Sequence, residues 1–230
     1  FIRLYKKFCP GPITFILKLK SESKISKSVT NKKETLAIRF PKNLLVRKLL
    51  KSLKYPLAAP SANISSKISP VSKDDVRDEF GKKIKFILDG GRSKIGLEST
   101  IISLINKPKI LRLGGTNISQ INRFLKTNLK FNPKYKRIAV PGQGKVHYSP
   151  GIPIRLNALI PNIDEAFILI KKRKYTGKNF YYLTKNRNLK EAAKNLYRTM
   201  RTIKNKNFKK IAVEKIPNKG FGLAINDRLN

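Results

Sequence analysis

From residue 154 to the end, strand-sized apolar stretches alternate with helix-sized ones: 154–160, 164–172, 180–184, 189–203, 210–216 and 221–229. This reads as β-α-β-α-β-α, with 164–172 as the first helix. Few folds accept that order. Parallel strands joined by crossover helices bury both faces of one small sheet. The longest helix opens at Asn188-Leu189-Lys190-Glu191, a start resembling a capping box, and sets Leu189, Ala192, Ala193, Leu196, Met200 and Ile203 on one face.

The preceding part has its own organisation. Residues 1–9 read as the end of a helix, broken by Pro10-Gly11-Pro12. Strands are expected at 13–20, 35–40, 84–88, 99–105 and 109–113. Helices are expected after Asn43, with Leu44, Leu45, Leu49 and Leu53 on one face, after Ser72, and over 118–127. The stretch 56–63 (Pro-Leu-Ala-Ala-Pro-Ser-Ala-Asn) is expected to be a short buried strand ending in a polar turn. Residues 128–153 are rich in Lys, Asn, Pro and Gly and lack periodicity, so they read as a linker. The expected division is 1–127, the linker at 128–153, and 154–230.

The charge is extreme: 52 Lys and Arg against 13 Asp and Glu give +39. Such a field favours phosphate-bearing partners. The basic residues are spread along the chain, so a lysine-rich solvated surface accounts for them equally well. Cys9 is the only cysteine. It can form no disulfide within the chain and no cysteine metal site, which fits a reducing, cytoplasmic setting. The apolar runs are too short and too charged to span a membrane, and residues 1–5 are not a signal peptide. The sequence starts on Phe rather than Met, and it is expected to be processed or incomplete at that end.

Several chemistries are closed. His147 is the only histidine, and no Ser-His-Asp arrangement, HExxH, CxxC, P-loop or full GxGxxG is present. What remains at strand ends is Thr35, Arg39, Ser61, Asn63, Ser69, Ser99 and Arg112. These are neutral donors and fixed cations. They suit polyphosphates and carboxylates and do not suit proton abstraction. Nucleotidyl transfer matches that inventory, with Mg²⁺ carried on the phosphates of the nucleotide.

The ordered motifs resemble the threonylcarbamoyl-AMP synthase family in its two-domain form. They are Pro10-Gly11-Pro12-Ile13-Thr14, Arg39-Phe40-Pro41, Pro60-Ser61-Ala62-Asn63, Ser69-Pro70 and Asp89-Gly90-Gly91. They continue with Gly96-Leu97-Glu98-Ser99-Thr100, Ile110-Leu111-Arg112 and His147-Tyr148-Ser149-Pro150. The resemblance implies an α/β fold: a YrdC-like twisted mixed sheet with helices, a linker, and a small parallel-sheet, Rossmann-like domain. It implies that L-threonine, bicarbonate and ATP give threonylcarbamoyl-AMP and pyrophosphate. The carbamoyl group then passes, through partner proteins, to a tRNA adenosine.

On the resemblance, Thr35, Ser61, Ser69 and Arg112 contact ATP, and His147 or Tyr148 folds the linker over the pocket onto the nucleotide. Arg39, Ala59 and Ser99 line the threonine pocket, with Arg39 on the carboxylate, and Asn63 belongs to the Ser-x-Asn signature. No acid or base and no protein metal ligand is assigned. The family's Lys-x-Arg segment should precede Phe1, which makes the sequence N-terminally incomplete. Val71 replaces a frequent Thr, and Gln143-Gly144-Lys145-Val146 departs from a more basic linker. The competing readings are an RNA-binding module on the same scaffold and a catalytically inactive fragment.

Overall fold

In a computed structural model, residues 1–132, 148–174 and 177–230 are described. In chain order the elements are α1 (Ile2–Phe8), β1 (Ile13–Lys18), α2 (Lys27–Thr30), β2 (Thr35–Arg39), α3 (Leu44–Ser52) and α4 (Lys73–Phe80). Then come β3 (Thr100–Ser103), β4 (Lys109–Arg112), α5 (Ile118–Leu125), β5 (Ile154–Arg155) and β6 (Glu165–Lys171). The last are β7 (Phe180–Thr184), α6 (Leu189–Asn205), β8 (Lys210–Val213) and α7 (Phe221–Leu229).

The chain divides into two compact units. The first combines Phe1–Ser61 with the described residues of Glu98–Val140. Its sheet runs β2-β1-β3-β4. β1 pairs antiparallel with β2 and parallel with β3, and β3 pairs antiparallel with β4, so the sheet is mixed. Ile13, Phe15, Ile102 and Ile110 are fully buried, and Ile121 of α5 joins them in the core. Helix α3 forms where Asn43 accepts a hydrogen bond from Val46 N at 3.1 Å, a side-chain N-cap. Its leucines Leu44, Leu45 and Leu49 remain exposed.

The second unit combines Ala62–Leu97 with the described residues of Pro141–Asn230. Its sheet runs β5-β8-β6-β7, with every pair parallel. The core is built from Ile168, Leu169, Leu183, Leu196, Met200 and Ile211. Asn188 caps α6 by accepting from Lys190 N and Glu191 N at 3.0 and 3.1 Å. α4 opens with a reciprocal capping box between Ser72 and Asp75.

Four expectations are corrected here. Residues 164–172 are not a helix: β6 is a central strand, and Ala166, Phe167, Ile168, Leu169 and Ile170 are all buried. A run apolar at every position cannot leave a polar helical face for solvent, and a two-sided parallel sheet accepts it. Residues 56–63 are not a buried strand: the backbone from 56 to 61 is irregular, and Leu57 is 48% exposed. Pro56 and Pro60 bracket it, and neither can donate to a ladder. Residues 84–88 form no strand either, and Phe86 and Leu88 face solvent with no partner strand beside them. The strand expected over 154–160 shrinks to Ile154–Arg155.

Candidate functional site

Strand register builds one edge of the first unit. Arg39 pairs with Thr14, Thr14 with Ile101, and Ile101 with Arg112. Four strands therefore present Arg39, Thr14, Ile101 and Arg112 as one row across the sheet. The Arg39 side chain makes no hydrogen bond or ion pair with any described residue. Part of it stays at the surface, yet the atoms around its guanidinium desolvate it. That burial, followed by repulsion from Arg112, holds its pKa below the usual arginine value. Two like charges converging on one edge make a site that favours an anion.

Between the arginines lies a hydroxyl pair. Thr14 Oγ1 and Ser99 Oγ are 2.7 Å apart and buried. Arg112 donates to Ser99 O through Nε at 3.1 Å and Nη2 at 3.0 Å, and Nη2 also donates to Ser99 Oγ at 3.1 Å. Below Ser99 the chain is locked to the turn after β4. Thr100 Oγ1 donates to Thr116 O at 2.6 Å and accepts from Thr116 N at 3.0 Å. Thr116 Oγ1 donates to Pro12 O at 3.2 Å, and Gly115 N to Glu98 O at 2.8 Å. Gly114 lets this turn close, because a Cβ there would overlap Glu98 O and lie 2.6 Å from Ser99 C.

The structure thus brings together Arg39, Ser99 and Arg112. It adds Thr14, Thr100 and Thr116, which were outside the sequence-predicted set. Their signal was the Pro-Gly-Pro break just before Thr14 and the Gly-Gly-Thr turn just after β4.

The other predicted residues lie elsewhere. Thr35 pairs with Lys18 at the far end of β2 from Arg39. Four residue steps along the strand separate them, about 13 Å on the same face. Ala59 and Ser61 lie on the exposed irregular segment before the second unit. Asn63 and Ser69 belong to the second unit. Asn63 Nδ2 donates to Ile64 O at 2.9 Å and Lys67 O at 3.0 Å, stapling the turn. Its Oδ1 is buried with no partner among the described residues.

Tyr148 is buried in the second unit. It stacks on Tyr197 with ring centroids 5.8 Å apart, and the Arg228 guanidinium lies 4.5 Å from its ring centroid. Ser149 N donates to Ser66 O at 2.9 Å. His147 lies outside the described residues.

No group of three His, Cys, Asp or Glu side chains among the described residues could hold a metal. The donors at the row are hydroxyls and guanidiniums, which fit an anion. No helix among the described residues is long and apolar enough to cross a membrane.

A mixed-sheet unit with two arginines converging on one edge, and a second unit built on a small parallel sheet, define a two-part α/β protein with an edge suited to anions. Comparison with known proteins narrows the class. Residues 1–114 match the family model described as Telomere recombination, and residues 116–230 match the model for the threonylcarbamoyl-AMP synthase C-terminal domain. The chain is 32% identical to a threonylcarbamoyl-AMP synthase of Pyrococcus abyssi, covering 98% of this chain and 71% of the relative. It is 32% identical to one of Bacillus subtilis, covering 98% and 70%. The crystal structure of P. abyssi Sua5 complexed with L-threonine superposes with a TM-score of 0.84 at 31% identity, over 98% of this chain and 71% of that one.

The chain belongs to the threonylcarbamoyl-AMP synthase family. Its function is that of the family, and the enzyme is of nucleotidyltransferase type.

Proposed function

We propose that the chain joins L-threonine, bicarbonate and ATP into threonylcarbamoyl-AMP, with Arg39 binding the threonine carboxylate. The observation that carries this reading is the convergence of Arg39 and Arg112 on either side of the Thr14–Ser99 pair. A free guanidinium forms paired hydrogen bonds with a carboxylate. Ser99 lies beside this site, and the family resemblance assigns the small Ala59 to the threonine pocket as well. Arg112 already spends Nε and Nη2 on Ser99, so it acts as a fixed charge toward the nucleotide and as the brace of Ser99.

The product needs two new bonds. Threonine nitrogen bonds to the carbon of bicarbonate with loss of water, and an oxygen of the resulting carbamate bonds to the α-phosphorus of ATP. The bond from that phosphorus to the bridging oxygen breaks, and pyrophosphate leaves with its electron pair. The substrates bring their own nucleophiles, so the protein's work is positioning and charge stabilisation. A ligand touching both Arg112 and Thr35 must lie along the sheet face, as an extended nucleoside triphosphate does. The family resemblance also assigns nucleotide contacts to Ser61, to Ser69 and to His147 or Tyr148. Asn63 shapes the turn carrying Ser69. Mg²⁺ enters as part of the MgATP substrate, because the side chains at the row build no cage for it. The threonylcarbamoyl group then goes to tRNA through partner proteins with AMP as the leaving group, and the +39 charge favours residence near RNA.

Omitting one substrate at a time tests this. The full chain is expected to release pyrophosphate and form the adenylate only with threonine, bicarbonate and ATP all present. Pyrophosphate release without threonine, or salt-sensitive RNA binding with no synthesis under any condition, would contradict it.

A further inference from the structure

The segment that carries Asn63 and Ser69 packs on α6 at Lys194 and Arg201, which lie on one stripe with Tyr197. These residues are three and four positions apart, so they share one side of the helix. Gly96 has φ +77, and a Cβ on it would overlap Lys194 O and lie 2.5 Å from Lys194 Cα. Tyr197 carries the ring of Tyr148. Arg201 lies at the other end of the stripe.

Arg201 is largely buried, its side chain 18% exposed. Its Nη2 donates to Ile68 O at 2.7 Å. Its Nη1 lies 3.7 Å from Glu79 Oε2, and its Nε lies 3.9 Å from Asp75 Oδ2. Both carboxylates in turn hold the loop that carries Ser69. Glu79 Oε1 accepts from Ile64 N at 3.1 Å. Asp75 Oδ2 accepts from Val71 N at 2.7 Å and Ser72 N at 3.1 Å. The loop is therefore clamped before and after Ser69 by two carboxylates, and one guanidinium stands between them. The Ile68 carbonyl belongs to the same peptide plane as Ser69 N, so fixing Ile68 O fixes the direction in which Ser69 leaves the loop.

We infer that Arg201 is a positioning residue for ATP binding: from α6 it fixes the Ile68–Ser69 peptide and with it the Ser69 hydroxyl. The inference rests on the reading of Ser69 as a nucleotide contact. It gives the C-terminal domain a task in the reaction, because α6 belongs to the part matched by the C-terminal family model. A planar guanidinium reaches a carbonyl and two carboxylates together, and a single ammonium does not.

The test compares R201M, R201K, S69A and the R201M/S69A double variant of the full chain. The readouts are KM for ATP, KM for threonine, kcat and thermal midpoint. R201M is expected to raise KM for ATP about tenfold or more, since misplaced contacts cost that much without leaving the site. KM for threonine should stay within about twofold, because Arg201 holds no part of the Arg39 pocket. S69A should raise KM for ATP likewise. The double variant should match the worse single one, as expected for two residues acting through one contact. R201K should fall between wild type and R201M.

An S69A effect without an R201M effect would overturn the inference and leave the Ser69 reading standing. A wild-type KM for ATP in S69A would overturn the Ser69 reading and the inference with it. Equal rises in both KM values with a lowered midpoint would make Arg201 a purely structural residue and overturn the inference. Where R201M does not fold, R201K decides by the same split between the two KM values.

Discussion

Arg112 chelates the backbone and side chain of Ser99, with Nε and Nη2 on Ser99 O at 3.1 and 3.0 Å and Nη2 on Ser99 Oγ at 3.1 Å. Ser99 also meets Thr14 across 85 residues of sequence. The hydroxyl beside the candidate threonine pocket is therefore held from both sides. Replacing Ser99 by Ala removes both Oγ contacts and leaves Thr14 buried without its partner. The expected result is a rise in KM for threonine of about tenfold, the size of one lost hydrogen bond to a charged group. Steady-state kinetics with threonine as the varied substrate checks it.

Arg112→Lys tests the brace differently. Lysine keeps the charge and cannot make the two-pronged contact with Ser99 O. A kcat loss of about tenfold or more is expected, with the added cost of a buried carbonyl left short of donors. A variant with wild-type kinetics would show that the charge alone matters.

Gly114→Ala forces a Cβ against Glu98 O and Ser99 C. Backbone atoms cannot step aside as a side-chain tip can. A destabilisation of about 1–3 kcal/mol is expected, the usual range for an overpacked site. Activity should fall further than stability, because the strained segment carries Ser99. Denaturant unfolding beside kinetics separates the two effects.

Glu165 ties the pH response to the second unit. Its side chain is 2% exposed and accepts from Arg155 Nε at 3.0 Å and Asn162 N at 2.8 Å. The Arg155 hydrogen bond, helped by Asn162 N–H and opposed by burial, lowers its pKa from the ordinary 4.5 to about 2. A carboxylate with a depressed folded pKa stabilises the protein above its unfolded pKa, and that stability is lost as pH falls toward the folded value. The window is therefore pH 4.5 down to about 2. Arg155 is 43% exposed, so solvent screening reduces the contribution of the pair. Unfolding midpoints of wild type and E165Q across that window should converge at the acid end. A constant gap would contradict the assignment.

Much of this was legible in the sequence. Asn43, Ser72 and Asn188 announced their helices because capping is local. The Arg39, Ser99 and Arg112 motifs identified the edge that the strand register assembles. The failures have physical causes. The 57–59 stretch is apolar yet bracketed by prolines, and 164–172 was assigned a helix although its centre, 166–170, is apolar at every position. Thr14 was left out of the site because its partner is remote. Arg201 was invisible for the same reason, since Ile68 lies 133 residues away and nothing in either neighbourhood signals the other.

Calorimetric titration with L-threonine and L-threoninol, which replaces the carboxylate by an alcohol, tests the Arg39 assignment most directly. Wild type is expected to bind threonine and to discriminate against threoninol by at least about tenfold, the value of a charge-assisted hydrogen bond. In R39A that discrimination should vanish, while ATP binding persists. Undiminished preference for threonine over threoninol in a folded R39A would place the carboxylate elsewhere and contradict the site described here.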